Sequence, residues 1–277
     1  NKAGIKVILG TPTYSIPAWM YRKHPEVLAI RPKEQKAYYG YRQNMDILNP
    51  TYRFYCERII RKMMEHYAKH PAIIGYQVDN ETSTYNAYNR DMFIGFVDYM
   101  KKKYKTTVSV NKQWGMQYWG QTYNDWDEFT TRDDPSSPSY KLEWERYEMK
   151  VTADFLNWQA GIIREYKRPD QFITHDFTMG VTDVDHQSCA KHMEYLAVNP
   201  YHEMQNKLDG QLIAYSGDFF RSIKGTNYLV TETNAQTIGW DSKTQYPPYD
   251  GQSRLCVYSH LSRGANMVGY WHWHSLH

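Results

Sequence analysis

The sequence predicts a parallel α/β fold, because apolar runs of strand length alternate with segments of helical periodicity. The run at residues 5–9 (IKVIL) is almost continuously aliphatic, which is typical of a strand buried on both faces. Residues 49–67 begin with Asn-Pro and then place apolar side chains at spacings of three and four, which indicates an amphipathic helix. A doubly wound sheet and a closed barrel both satisfy this pattern.

Six strands are predicted, and between them lie helices at 49–67, 92–104, 142–166 and 254–262. Residues 108–139 are predicted to be irregular, because they are rich in Trp, Asp, Thr and Pro. Neither a GxGxxG motif nor a P-loop follows any strand, which disfavours a doubly wound nucleotide-binding domain. The predicted strands begin at Ile5, Pro71, Gln171, Tyr195, Asn227 and Asn266.

The composition is that of one ordinary globular domain, with 277 residues, 41% of them hydrophobic and 23% charged. The net charge of +3 is small, and the basic run at 101–105 (KKKYK) falls where a predicted helix ends. Cations there complement the exposed carbonyl groups, so we interpret the run as a solvated helix end. No apolar run approaches the roughly 18 residues that a membrane span needs. We expect neither a nucleic acid nor a membrane as partner.

The aromatic and cysteine contents indicate two further properties. The 26 Tyr and 9 Trp residues suit sugar binding and a tyrosine-rich core equally well. Cys56, Cys189 and Cys256 are three in number and widely spaced, which suits neither a disulfide framework nor a CxxC metal site and fits a reducing compartment. The sequence shows no signal peptide, so we expect a cytoplasmic location. Strand-like runs lie beside Asn1 and His277, so we expect a fragment truncated at both ends.

Two carboxylates follow predicted strands at the point where each strand ends. Glu81 follows the strand at 71–78, and Glu232 follows the strand that starts at Asn227. A lone glutamate would be interpreted as an ion pair or a loop cap. Two at strand ends favour catalysis, because retaining glycoside hydrolysis needs a pair of carboxyl groups about 5–5.5 Å apart. Asn80, beside Glu81, can bind a sugar 2-hydroxyl group.

Four segments resemble the family 42 β-galactosidases of glycoside hydrolase clan A, and they extend from one end of the chain to the other. They are residues 4–19 (GIKVILGTPTYSIPAW), 70–81 (HPAIIGYQVDNE), 110–129 (VNKQWGMQYWGQTYNDWDEF) and 231–240 (TETNAQTIGW). The resemblance implies a (β/α)8 TIM barrel. Residues 1–277 would form an incomplete catalytic barrel domain containing about strands three to eight.

The resemblance also implies a role for each of six residues. Glu81 would be the acid/base and Glu232 the nucleophile. The substrate-binding residues would be Arg42, which reaches galactose hydroxyls, Asn80 beside the acid, Tyr201, which hydrogen-bonds the nucleophile, and Trp240 in the wall or floor of the galactose subsite. From the residues alone, a surface ion pair for Arg42 and packed core rings for Tyr201 and Trp240 are equally supported.

The implied reaction is retaining cleavage of terminal β-D-galactosides by double displacement, without a cofactor. The substrate would be a β-galactoside or galacto-oligosaccharide, and the full-length protein a homotrimer. Some family members bind zinc through a cysteine cluster, but residues 42–50 (RQNMDILNP) contain no cysteine, so we expect no such metal. Alternatives are an α-L-arabinopyranosidase, another clan A β-glycosidase, and a non-catalytic sugar-binding barrel that would tolerate loss of either glutamate.

His272, His274 and His277 form an HxHxxH pattern whose role stays open. On a strand, residues 272 and 274 point to the same side, as metal ligands would. No acidic partner follows them, and a wet rim flanked by tryptophan accounts for the pattern as well. The surrounding YWHWHS also departs from the family, where many members have an arginine after the tryptophan.

Overall fold

The computed structural model describes residues 2–130, 137–181, 183–235 and 246–272. The chain divides into two compact units. The first consists of Asn1–Pro12, Ile59–Glu81 and Leu156–His277, and the second of Thr13–Arg58 and Thr82–Phe155.

Strands and helices alternate along most of the described chain. The strands are β1 (Val7–Gly10), β2 (Ile30–Arg31), β3 (Gln35–Lys36), β4 (Ile73–Gln77), β5 (Phe172–Thr174), β6 (Asp176–Thr178), β7 (Ala197–Asn199), β8 (Tyr228–Val230) and β9 (Ala265–Val268). The α-helices are α1 (Ala18–Lys23), α2 (Pro50–Tyr67), α3 (Arg90–Tyr104), α4 (Thr107–Trp114), α5 (Pro138–Arg164), α6 (His186–Cys189), α7 (Gly210–Lys224) and α8 (Gln252–Ser262).

The first unit contains two parallel sheets. One has the order β1-β4-β5 and the other β6-β7-β8-β9, and every neighbouring pair within them is parallel. Only His175 separates β5 from β6, so the strand predicted from Gln171 is divided between the two sheets. All six predicted strands are confirmed, and with them the parallel α/β class, but the first is not buried on both faces as predicted, since no residue of β1 is fully buried.

Close packing between β4 and β5 requires a glycine. Gly75 pairs with Phe172, and a Cβ atom at position 75 would lie 2.6 Å from the phenylalanine ring.

In the neighbouring sheet, all three residues of β7 and of β8 are buried. Polar residues at the ends of β7 and β8 are therefore attached to closely packed strands.

The predicted helices are confirmed to within a few residues at α2, α3, α5 and α8. Helix α2 begins as its sequence predicts, because Asn49 Oδ1 accepts a hydrogen bond from the Tyr52 amide at 3.0 Å. The basic run lies at the end of α3, whose last turn contains three of its lysines.

The irregular structure predicted for residues 108–139 is wrong at its start, where α4 forms. The Thr106 side chain caps this helix by accepting from the Ser109 amide at 3.1 Å. Gly115 ends it in the left-handed conformation, with φ of 67°. The threonine and valine residues of α4 favour strand or loop by propensity, so the two caps are the signal that the prediction overlooked.

The second unit is built around aromatic side chains. Phe96 packs against Tyr140, Trp144 and Tyr147, with ring centroids 5.0–5.8 Å apart. Tyrosines and tryptophans therefore do build a core here. Trp119 in the same unit is instead 81% exposed.

One buried carboxylate in the second unit has a structural role. Glu143 is 2% exposed and forms ion pairs with Lys103 at 2.7 Å and Arg146 at 2.6 Å. Two tyrosine hydroxyls, those of Tyr99 and Tyr104, also bind it. These four partners satisfy the carboxylate and join α3 to α5.

Candidate active site

Glu81 and Glu232 both follow parallel strands of the first unit. Glu81 comes four residues after the end of β4, and Glu232 comes two residues after the end of β8. Both side chains are partly exposed. β4 and β8 belong to different sheets, so each glutamate lies at the carboxyl end of a strand in its own sheet, the end where ligands bind in α/β proteins.

The turn that carries Glu81 adopts an unusual backbone conformation. Asp79 and Glu81 have positive φ values of 52° and 45°, which side-chain-bearing residues seldom adopt. The Thr11 hydroxyl supports this turn by accepting from the Asp79 amide at 2.7 Å and donating to Gln159 at 2.7 Å. Strained backbone held by buried hydrogen bonds is a common feature of functional sites.

The side chain of Asn199, at the end of β7, connects the two glutamate-bearing segments. Its Nδ2 donates to Glu81 Oε1 at 3.0 Å and to Asp176 Oδ2 at 3.0 Å. Its Oδ1 accepts from the Thr231 hydroxyl at 2.9 Å, and Thr231 directly precedes Glu232. One amide thus sets the position of both segments.

Glu232 has a second polar neighbour in Tyr201. The Tyr201 hydroxyl donates a 2.6 Å hydrogen bond to Glu232 Oε2. An O–H donor at this distance from a carboxylate forms a strong, charge-assisted bond, which stabilises the ionised form.

Asp176, which Asn199 also binds, is a third carboxyl group near Glu81 and Glu232 and is completely buried. Burial raises the pKa of Asp176 well above its usual range, and the charges of Glu232 and Glu81 raise it further. The hydrogen bond from Asn199 acts in the opposite direction. Its neighbour His175 is neutral near pH 7, because burial lowers the pKa of that imidazole to about 4. Asp176 is therefore protonated under conditions in which an exposed aspartate is ionised.

Three of the six predicted site residues have hydrogen bonds at this site: Asn199 binds Glu81, and Tyr201 binds Glu232, whose neighbour Thr231 also binds Asn199. Asn80 is buried next to Glu81 in the same turn. Arg42 lies exposed in a loop of the second unit, and Trp240 lies outside the described residues. Of the three histidines, only His272 is described.

Sequence reasoning missed Asp176 and Asn199. Both lie within or at the end of predicted strands, in THDF and AVNP, so inspecting strand ends for polar residues as well as glutamates would have found them. Within the described ranges, no three His, Cys, Asp or Glu side chains are grouped as metal ligands would be. None of the helices in those ranges has the length and apolar character to cross a membrane.

The chain resembles known β-galactosidases over its whole length. A curated β-galactosidase from Haloferax lucentense, BgaH, is 29% identical over 99% of this chain and 44% of its own length. Another from Clostridium cellulovorans, BgaA, is 26% identical over 97% of this chain and 42% of its own length. The chain therefore spans less than half the length of these relatives.

Solved structures of β-galactosidases show the same fold. The enzyme from the psychrophilic Marinomonas ef1 matches with a TM-score of 0.90 and 25% identity, over 98% of this chain and 44% of that one. The enzyme from Bacillus circulans sp. alkalophilus matches with a TM-score of 0.90 and 25% identity, over 100% of this chain and 42% of that one. The sequence model of glycoside hydrolase family 42, which carries the description beta-galactosidase, matches residues 1–277. The chain belongs to glycoside hydrolase family 42.

Proposed function

We propose that the protein carrying this chain is a retaining β-galactosidase with Glu81 as acid/base and Glu232 as nucleophile. The observation that carries the proposal is the Asn199 side chain, which binds Glu81 through its nitrogen and the Glu232 segment through its oxygen. Because the chain spans less than half the length of its relatives, the proposal concerns the activity of the whole protein.

The proposal includes the fold around the site. We infer that β1, β4, β5 with β6, β7, β8 and β9 are strands three to eight of a (β/α)8 barrel, with residues 1–277 as the truncated catalytic domain. Within each of the two sheets the strands follow chain order and are parallel to their neighbours, and a single residue separates β5 from β6, which supports closure into one barrel. The remaining two strands would come from chain outside these residues.

In the first chemical step, a Glu232 carboxylate oxygen attacks the anomeric carbon of a terminal β-galactosyl unit. The bond from that carbon to the glycosidic oxygen breaks, and Glu81 gives its proton to this oxygen, so a neutral alcohol leaves. A galactosyl ester of Glu232 with inverted configuration results. The Tyr201 hydroxyl, 2.6 Å from Glu232 Oε2, orients the attacking carboxylate.

In the second step, Glu81 is a carboxylate and takes a proton from a water molecule as the water oxygen attacks the same carbon. The ester bond to Glu232 breaks, and a second inversion restores the β configuration. Two donors assist these charges: Asn199 Nδ2 at Glu81 and the Tyr201 hydroxyl at Glu232. Both carboxyl groups then have their starting protonation, and the reaction needs no redox partner.

The remaining predicted residues would bind the sugar. Asn80 is suited to the 2-hydroxyl because it lies beside Glu81 and is fixed by the same turn. Arg42 would reach other galactose hydroxyls, and Trp240 would provide an apolar face for the C–H bonds of the ring. We further propose that the full-length protein is a cytoplasmic homotrimer; the three cysteines of this chain are buried and none is in a disulfide, which suits a reducing compartment.

The experiment is a comparison of nitrophenyl glycosides with the full-length protein. We expect β-D-galactopyranoside to be hydrolysed fastest, α-L-arabinopyranoside more slowly because it lacks the hydroxymethyl group, and β-D-glucopyranoside least. NMR of the first product should show β-galactose before mutarotation. If arabinopyranoside is the best substrate, the activity is an arabinopyranosidase, and if α-galactose appears first, the retaining mechanism is wrong.

Matched variants test the two carboxyl groups. Glu232→Gln and Glu81→Gln should each lower kcat by about 10³-fold or more, because each removes a group that acts in the transition state. Glu203→Gln is the control, since Glu203 is an exposed glutamate in the segment after β7 and pairs only loosely with Lys207 at 3.8 Å. A Glu232→Gln protein with near-normal turnover would show that hydrolysis does not use Glu232, and a native protein that binds galactosides without turnover would be a sugar-binding one.

A further inference from the structure

Asn234 binds both backbone groups of a single residue in another loop. Its Nδ2 donates to the His202 carbonyl at 2.7 Å, and its Oδ1 accepts from the His202 amide at 3.0 Å. Both residues are 5% exposed. A side-chain amide paired in this way fixes the relative position of two segments as a short β-bridge does, with a donor and an acceptor on each side.

The two segments joined by Asn234 are those of Tyr201 and Glu232. Tyr201 directly precedes His202, and Glu232 lies two residues before Asn234. The 2.6 Å bond from the Tyr201 hydroxyl to Glu232 Oε2 spans the same two segments. Because hydrogen bonds weaken steeply with distance and angle, a small slip between the segments would remove this bond.

We propose that Asn234 is a positioning residue, which holds the Tyr201 hydroxyl against the Glu232 carboxylate by binding the backbone of His202. The inference rests on the proposed function, in which Glu232 is the nucleophile. Asn234 itself does not touch the reacting atoms in this scheme and acts through Tyr201.

Asn234 can act in this way because it is itself held in place. It forms a parallel bridge with Trp271, and the neighbouring Thr233 carbonyl accepts from the Trp271 amide at 2.9 Å. The segment that bears Glu232 is therefore joined by hydrogen bonds to the segment that follows β9.

The His202 segment is anchored on its other side by a buried histidine pair. His202 Nε2 lies 2.9 Å from His260 Nε2 in α8, and His260 Nδ1 lies 3.3 Å from the Tyr228 hydroxyl in β8. Burial lowers the pKa of each histidine to about 4, so both are neutral near pH 7, and one donates to the other. Asn234 thus binds a segment that is already fixed to a helix and a strand.

Loss of this alignment should affect the chemistry more than substrate binding. The Tyr201 hydroxyl stabilises Glu232 when it is ionised, as attacking group in the first step and as leaving group in the second. Without the donor, kcat falls while KM stays the same or decreases. The acidic limb of the pH profile of kcat/KM moves to higher pH, because a carboxylate that has lost a hydrogen-bond donor binds a proton more readily.

The test is a double-mutant cycle of Asn234→Ala and Tyr201→Phe, measured on nitrophenyl β-galactoside with the full-length protein. We expect Asn234→Ala to lower kcat about 10-fold and Tyr201→Phe at least as much. The double variant should be no slower than Tyr201→Phe, because Asn234 acts through the hydroxyl that is already absent. Multiplied losses in the double variant, or an unchanged acidic limb in Asn234→Ala, would overturn the proposal.

Two further variants separate positioning from folding. Asn234→Asp keeps the shape and the acceptor for the His202 amide but loses the donor, so it should stay folded and show the same shift of the pH profile. If Asn234→Asp also fails to fold, the residue is structural and the proposal is wrong. Asn227→Ala is the matched control, because the Asn227 amide likewise joins two segments, at 3.0 Å from Asn266, but precedes β8. Failure of the proposed function is distinguishable from failure of the positioning role, because in the first case Glu232→Gln would keep its turnover.

Discussion

Asn199 Nδ2 lies 3.0 Å from Asp176 Oδ2, and the carboxyl group it binds there has no exposed surface. The same nitrogen also donates to Glu81, so its two hydrogens go to two different carboxyl groups. An amide that is fixed at both its nitrogen and its oxygen cannot rotate. The orientation of the Glu81 carboxylate is therefore determined by residues in the core of the first unit.

We predict that Asn199→Asp lowers kcat about 10²-fold, because it replaces a donor shared by two carboxyl groups with a further acceptor. Asn199→Ala should lose less, since it removes the donor without adding a charge. The measurement is kcat on nitrophenyl β-galactoside for the two variants of the full-length protein. An Asp variant that is faster than the Ala variant would contradict this account of the cluster.

We predict that Asp176→Asn raises Tm at neutral pH. The pKa of Asp176 is raised in the folded protein, so its contribution to stability is complete below the unfolded pKa of about 3.9 and is lost as pH rises through the folded pKa. A neutral side chain of the same shape avoids this loss, and each kcal/mol regained corresponds to about 2–4 °C in Tm.

The measurement for Asp176→Asn is Tm as a function of pH, from pH 7.5 down to pH 4.5. The difference in Tm between the variant and the native protein should shrink as pH falls, because Asp176 then becomes protonated in both the folded and the unfolded native chain. A variant that is less stable than the native protein by the same amount at every pH would show that hydrogen-bond geometry outweighs the charge.

The strand framework and the two glutamates could be predicted from the sequence, because both are local patterns. Residues 227–232 show a buried strand and then a carboxylate, and Glu232 is found where that pattern expects it. Helix α4 was missed because its apolar periodicity is weak and its boundaries depend on Thr106 and Gly115.

The polar cluster could not be predicted in the same way. The contacts of Asn199 with Glu81 and Thr231 join residues from three strand ends, and no local pattern encodes which ends will be adjacent. The protonation of Asp176 depends on burial and on neighbouring charges, neither of which a single sequence shows. The roles of all six predicted site residues stay predictions.

We predict that acid destabilises the first unit through its buried histidines. Burial lowers the pKa of His202, His260 and His175 to about 4, whereas an unfolded histidine has a pKa of about 6.5. The unfolded chain therefore takes up protons first, and stability falls as pH decreases from about 6.5 to about 4. At pH 5 the free energy of unfolding is lower than at neutral pH by about 1–2 kcal/mol for each histidine.

A comparison of His260→Gln with the native protein checks this dependence. Glutamine does not titrate, so the decrease in Tm between pH 7 and pH 5 should be smaller in the variant, even if its Tm at pH 7 is lower. His66→Gln is the control, because His66 lies near the end of α2 and is exposed. Equal decreases in His260→Gln and His66→Gln would show that the buried pair does not cause the acid sensitivity.

We predict that Gly75→Ala destabilises the protein by about 1–3 kcal/mol, because its Cβ would lie 2.6 Å from the Phe172 ring between two paired strands. Gly161→Ala is the matched control. A Cβ atom at this exposed position in α5 meets nothing within 4 Å, and alanine favours the helix by about 0.5–1 kcal/mol. Thermal unfolding of the two variants should therefore change Tm in opposite directions. Adding Phe172→Leu to Gly75→Ala should recover part of the loss, and a double variant that is less stable than Gly75→Ala would show that the clash with the ring is not the cause.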